Sequence, residues 1–226
     1  MQYKYIFGPV VSGRLGRSLG LDLLAAKICS FDCLYCEVGP GRNTYVLRKA
    51  YVPAKSILDE LAVWKEEDCV PLDHVTLGGS GEPCLNTDMG RIILGVRELF
   101  PDIRVAVLTN ASLLHQPDVV ADLEMADVVM PSLDSVIDTE FQALNQPHVE
   151  MDLPRIMDSL LAFRRSFGGV LALEVLLCRG VNDTGDNLRG LEAYVSELNP
   201  DRVDVTTLSR PGAYDNAGAV SRQTLD

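Results

Sequence analysis

Residues 103–131, IRVAVLTNASLLHQPDVVADLEMADVVMP, decide the fold. IRVAVLT is a short run rich in branched aliphatics and reads as a strand over Ile103–Thr109. After a polar loop, apolar residues recur at helical spacing over Asp118–Met125, and DVVMP then reads as a second strand over Asp127–Pro131. A strand, a helix and a strand within this length form a βαβ unit, whose two strands run parallel.

The same alternation continues in both directions. Strands are expected over Leu19–Ala25, His74–Leu77, Leu171–Leu177 and Arg202–Thr207, and helices over Ala54–Glu67, Asp88–Phe100, Leu153–Phe167 and Asp186–Leu198. Ile57, Leu58, Leu61 and Trp64 share one face of the first helix; Ile92, Ile93, Val96 and Leu99 stripe the second until Pro101 stops it. Six such units are too few for a closed eight-stranded barrel. They fit a partial (β/α)6 TIM-like barrel, open on one side, with reactive groups on the loops after the strands' C-terminal ends. No linker, repeat or biased segment divides residues 1–226, which read as one domain. Ser221 can cap a helix that stops after one turn, so the terminal helix reads as incomplete.

With 226 residues, 47% apolar and 23% charged, the chain can bury one sizeable core, which excludes collagenous and disordered classes. Its longest apolar runs stay under ten residues, against about 20 for a membrane span. MQYKYIFGPV lacks the apolar stretch and cleavage site of a secretory signal, so a cytoplasmic protein without a membrane partner is expected. The formal charge is −12, unevenly spread: residues 1–52 hold seven basic side chains against three acidic, leaving −16 for the rest. That balance disfavours a broad nucleic-acid surface without forbidding a local one. The basic N-terminal stretch is either a lip for an anionic ligand or a solvated loop.

Three of six cysteines crowd into KICSFDCLYCEVG as Cys29-x3-Cys33-x2-Cys36. In a reducing compartment such a cluster points to metal or catalytic chemistry rather than disulfides. Three thiolates on one loop can hold a [4Fe–4S] cube and leave its fourth iron open, whereas structural zinc asks for a fourth protein ligand, absent at matching spacing. The triplet, with aromatic Tyr35 before its last cysteine, resembles the signature of the radical S-adenosylmethionine (SAM) superfamily. The lead-in FGPVVSGRLGRSLGLDLLAAK, with YVPAKSILDEL and GGSGEPCLN downstream, is similar to the small Fe–S oxidoreductases related to the tRNA wyosine-synthesis enzymes.

That resemblance implies one [4Fe–4S] cluster on Cys29, Cys33 and Cys36, with SAM on the open iron and split to a 5′-deoxyadenosyl radical that takes hydrogen from substrate. It also implies an electron donor such as flavodoxin or ferredoxin. Tyr35 and the turn Gly78, Gly79, Ser80, Gly81 and Glu82 become SAM contacts, the last meeting the amino group; alone, the turn would read as a plain strand-to-helix connection. Thr109 and Asn110 end a strand at the rim, where Asn110 serves a ligand or a turn equally well. Ser132 and Asp134 are expected near SAM, or as a helix cap. Glu174, inside the apolar VLALEVLLC, must be paired: with SAM or substrate, or with an arginine. Cys84 and Cys178 are candidate hydrogen donors or substrate contacts, though buried cysteine is the commoner fate.

Departures narrow the substrate. No cysteine precedes Cys29 to hold a second cluster, and no lysine follows Lys65 to form a Schiff base in the later strands' loops. Wyosine synthesis is therefore not expected, and a small molecule or peptide is favoured. The alternatives are a glycyl-radical-enzyme activase, a tRNA-modifying radical SAM enzyme, and a non-catalytic iron–sulfur or zinc protein.

Overall fold

The computed structural model describes residues 3–225. Seven strands lie side by side in chain order: β1 (Ile6–Ser12), β2 (Gly16–Asp22), β3 (His74–Gly78), β4 (Arg104–Thr109), β5 (Val128–Pro131), β6 (Val170–Leu177) and β7 (Arg202–Thr207). β1 is antiparallel to β2; every later pair is parallel. The helices are α1 (Ala54–Glu67), α2 (Met89–Leu99), α3 (Pro117–Leu123), α4 (Asp138–Asn145), α5 (Leu153–Ser166), α6 (Gly185–Leu198) and α7 (Arg222–Leu225). The sheet curls into a half-barrel, the six parallel strands β2–β7 giving the expected partial (β/α)6 barrel.

Alternation along the strands assigns two faces. Leu19, Leu21, Val75, Leu77, Val105, Val107, Leu171 and Leu173 belong to the main core together with Ile57, Leu61, Ile92, Leu160 and Phe163 of the helices. The opposite face holds a smaller cluster of Leu15, Ala106, Val128, Met130 and Ala172. Burial on both faces is what makes parallel strands read as near-continuous apolar runs. Leu15 comes from the β1–β2 turn, whose backbone carbonyl accepts from His74 Nδ1 at 2.7 Å. His74 is thus a structural residue at the base of the sheet.

β1 was not expected. It is an edge strand with only Ile6 buried, so it carries no alternation, and its Gly8-Pro9 pair reads as a turn. β2 starts earlier than expected because Ser18 and Gly20 sit among its buried positions without apolar side chains. It ends at Asp22, where the carboxylate accepts from Leu24 N (3.0 Å) and Ala25 N (3.2 Å) and Ala25 turns to φ 55°. α4 also escaped notice: it is eight residues long and buries only Phe141, Leu144 and Asn145. Ser221 caps α7, its hydroxyl accepting from Thr224 N at 3.3 Å.

Candidate active site

Every barrel strand delivers its C-terminal end to the same rim, and the rim is where the triplet lies. Cys29, Cys33 and Cys36 occupy the loop after β2, each half-buried and free. Asp32, between the first two, holds that loop in shape. Its carboxylate accepts from Lys27 Nζ at 2.5 Å, Gly41 N at 2.8 Å and Tyr214 OH at 2.6 Å, and these bonds keep it below the usual carboxylate range despite burial. Cys36 N donates to Cys33 O at 3.1 Å, turning the chain between the last two thiols.

Amides stand around the sulfurs. Asn110 Nδ2 donates to Cys29 Sγ and Asn145 Nδ2 to Cys33 Sγ, both at 3.5 Å; Phe31 N also points to Cys29 Sγ at 3.5 Å. Burial, with Glu82 nearby, pushes the Cys29 thiol up to about 12, and burial beside Cys29 raises Cys33 further. Thiolates here need a positive centre between them, which the iron of a cluster would supply. Among the described residues no group of three His, Cys, Asp or Glu side chains is gathered as for a single metal ion. Three thiols with amide donors on two of them fit a three-cysteine iron–sulfur cluster.

The turn Gly78–Glu82 packs directly on this loop. Glu82 N donates to Ile28 O at 3.0 Å, and a Cβ on Gly81 would sit 1.9 Å from the same oxygen. Gly79 has φ 114°, and Ser80 bonds the Asp22 carboxylate. The Glu82 side chain turns inward: it accepts from Thr109 Oγ1 (2.7 Å), Cys84 N (3.0 Å) and Asn110 N (2.7 Å). Burial nevertheless raises its carboxyl. Its visible work is to tie the rims of β3 and β4 together, with Thr109 as one of its donors.

Asp134 is likewise internal. Tyr35 OH donates to it at 2.6 Å, Asn145 Nδ2 at 2.8 Å and Leu176 N at 2.8 Å, with burial raising its carboxyl. Through Tyr35 and Asn145 it holds two neighbours of the thiols. Ser132 bridges to Glu174 in parallel register and donates its N–H to Thr109 O at 2.9 Å. Glu174 forms an ion pair with Arg14 of the β1–β2 turn, the arginine alternative of the sequence reading.

A cavity of about 590 Å³ opens beside the triplet, lined by Arg14, Cys33, Tyr35, Cys36, Gly79 and Leu176 among others. A second, about 520 Å³, shares Arg14 and Gly79 and extends along Ser18, Thr76, Gly78 and Leu108 towards β1. Cys84 and Cys178 are both buried, the commoner fate the sequence reading allowed: Cys84 in the main core with Sγ at 3.4 Å from Thr109 Oγ1, Cys178 against Leu34 and Leu144. Neither lines these cavities. Cys69 is exposed. Arg14, Asp32 and Asn145 went unnoticed in the sequence. Their partners lie 160, 182 and 112 positions away for Glu174, Tyr214 and Cys33, and no local pattern announces such a contact.

The Radical SAM superfamily profile matches residues 24–185. A UPF0026 protein of Helicobacter pylori is 31% identical over 92% of this chain and 68% of its own length. A protein of Brachyspira hyodysenteriae named GTPase Obg is 36% identical over the whole chain, which spans 33% of it. A probable dual-specificity RNA methyltransferase RlmN of Nostoc is 25% identical over 81% of the chain and 53% of its own length. Among solved structures, a radical SAM methyltransferase from Sphaerobacter thermophilus superposes with TM-score 0.67 at 18% identity, covering 92% of this chain and 60% of that one. Streptococcus suis SuiB bound to S-adenosylmethionine gives 0.59 at 19%, covering 84% and 39%. The chain thus spans 33% to 68% of the length of these proteins.

Proposed function

Because the chain belongs to the radical SAM superfamily and to the UPF0026 family, we propose that it binds a [4Fe–4S] cluster on Cys29, Cys33 and Cys36 and uses it to cleave SAM for hydrogen abstraction from a substrate held in the barrel. The observation that carries this reading is the half-buried triplet at the barrel mouth, amide-bonded at two sulfurs and open on one side to the 590 Å³ cavity.

When bound, the cluster supplies the electron that splits SAM into methionine and a 5′-deoxyadenosyl radical. The chain's residues supply the setting. Asn110 and Asn145 donate to the sulfurs, which favours the more reduced, more negative cluster. Asp134 and Asp32 fix the loop from its two sides. The turn Gly78–Glu82, shaped by Gly79 and Gly81, offers backbone N–H and C=O groups at the cavity edge for a zwitterionic amino acid. Glu82 supports that turn from behind. Leu108 lines one of the two cavities and Leu176 the other, presenting apolar surface to a radical. SuiB, whose structure is bound to S-adenosylmethionine, shares the fold.

A small molecule or peptide is the favoured substrate. RNA is the second reading, favoured by the RlmN relative and opposed by the −16 carried outside residues 1–52. Anaerobic reconstitution should load about four irons and four sulfides per chain. Dithionite with SAM should then release 5′-deoxyadenosine, and alanine at any of the three cysteines should abolish it. A fully loaded, reduced protein that leaves SAM intact would overturn the reading.

A further inference from the structure

Resting on that function, we infer that residues 208–220 are a strap that positions the cysteine triplet for its cluster, and that Tyr214 is the positioning residue. After β7 the chain meets the loop that carries Cys33 and Cys36. Tyr214 N donates to Leu34 O at 3.3 Å, and Arg210 pairs with Glu37, the residue after Cys36, at 3.3 Å. The approach is close: a Cβ on Gly212 would stand 2.6 Å from Leu34 O and 2.8 Å from Tyr35 Cα. The far end of the strap is fixed to the ends of β6 and β7, where Gly218 O accepts from Arg179 N at 2.8 Å and Val220 N donates to Thr207 Oγ1 at 2.9 Å. Between the two ends, Tyr214 and Ala217 pack on the buried patch of Leu34, Leu144 and Cys178.

One buried carboxylate joins strap to loop. Asp32 is 8% exposed, and its two oxygens have different partners. Oδ1 accepts from Lys27 Nζ and Gly41 N, both on its own loop, whereas Oδ2 accepts from Tyr214 OH alone among the described residues. The Asp32 N–H faces Asn145 O at 3.1 Å and Gln146 O at 3.2 Å, and Leu34 N donates to Leu144 O at 2.9 Å. The stretch Asp32–Leu34, with Cys33 in its middle, is therefore tied to the end of α4 on one side and to the strap on the other. The Asp32 carboxylate pushes the Tyr214 phenol above its ordinary value, so the hydroxyl keeps its proton and stays the donor. Removing that one hydroxyl strands an ionised oxygen in a buried place. The loop relieves it by turning Asp32 towards water, and Cys33 moves with it. Leu208, Ser209 and Arg210 of the strap also wall the cavity of about 590 Å³, so the segment that holds the sulfurs bounds the space beside them.

Tyr214→Phe tests this, since it keeps the ring on the apolar patch and removes only the hydroxyl. In the metal-free protein, hydrogen exchange read by mass spectrometry should speed up several-fold over residues 208–220 and over the cysteine loop. In the reconstituted protein, a ferrous chelator should strip iron about tenfold faster than from the wild type, and the paramagnetic signal of the reduced cluster should change shape. Tyr194→Phe is the control: its hydroxyl donates to Met157 O at 2.8 Å, within the helical layer, and its loss should leave iron release and signal at wild-type values. Gly212→Ala pushes the strap off the loop from the other side and should move all three readouts in the same direction as Tyr214→Phe. Wild-type iron release and an unchanged signal in Tyr214→Phe and Gly212→Ala overturn the inference, as does equally fast release from Tyr194→Phe, which would assign the effect to general loosening. A wild-type protein that takes up no cluster would instead sink the proposed function, and the exchange rates of the metal-free protein would still decide whether the strap holds the loop.

Discussion

Asn145 and Cys33 are 112 positions apart in the chain, and the Asn145 amide donates to the Cys33 sulfur at 3.5 Å. The same Nδ2 reaches Asp134 Oδ2 at 2.8 Å, so the last residue of α4 joins a thiol to a buried carboxylate. Its side-chain Oδ1 is buried without a hydrogen-bond partner among the described residues. Asn145→Ala should therefore act on the cluster more than on the fold. Losing a donor to sulfur lowers the reduction potential, and an electron-paramagnetic titration of the reconstituted protein should show the shift to more negative values. Stability should fall by about 1–3 kcal/mol, because Asp134 loses a donor in a buried site. An unchanged potential would assign Asn145 to the fold alone.

Gly81 faces backbone, and that decides its tolerance. A Cβ there would stand 1.9 Å from Ile28 O and 2.6 Å from Ile28 C, atoms that move only if the cysteine loop moves. Gly81→Ala should reduce iron loading several-fold and cost about 1–3 kcal/mol in urea unfolding. Gly13→Ala, where nothing lies within 4 Å, should do neither.

The contrast between these positions shows which parts of the molecule were legible in its sequence. α1 was readable to both ends because Ile57, Leu61 and Trp64 recur at helical spacing after Pro53, all within one segment. The cysteine triplet was readable for the same reason: its information is local. β1 buries only Ile6 and was lost. Glu82 was noticed, but its direction depends on Thr109 and Asn110, 27 and 28 positions on, and only the folded chain shows it turned inward. Glu174 was legible as a charge that needs a partner, while the partner, Arg14, sits on a hairpin turn the sequence did not announce.

Cys84 offers a test of that inward reading. Its thiol is buried in the core, raised well above the usual range by burial, and lies off both cavities. Cys84→Ala and Cys178→Ala should keep dithionite-driven 5′-deoxyadenosine formation within about twofold of wild type while costing about 1–2 kcal/mol each from lost packing. A severe loss of turnover with normal iron content would return either thiol to the chemistry.

The Arg14–Glu174 pair should behave as a charge pair that is partly shielded, since the Arg14 side chain is 42% exposed and the Glu174 side chain 15%. Arg14→Ala leaves a carboxylate among Ala172 and Leu176 and should destabilise by about 1–3 kcal/mol, whereas Arg14→Met with Glu174→Leu should recover most of that loss. Thermal unfolding of Arg14→Met, Glu174→Leu and the double variant completes the cycle.

Acid should weaken the base of the sheet through Asp201. Its carboxylate accepts from Leu171 N at 2.8 Å and pairs with Arg164 at 3.1 Å, contacts that hold it below its ordinary 3.8. A group depressed in the folded state stabilises the fold fully above its unfolded value and loses that contribution as pH falls through the folded one. Urea midpoints should therefore drop as pH falls below about 4, more steeply in the wild type than in Asp201→Asn. The variant, unable to ionise, should start lower at pH 7 and converge with the wild type in acid. Parallel pH profiles would show that the carboxylate's charge does no work at the β6–β7 base.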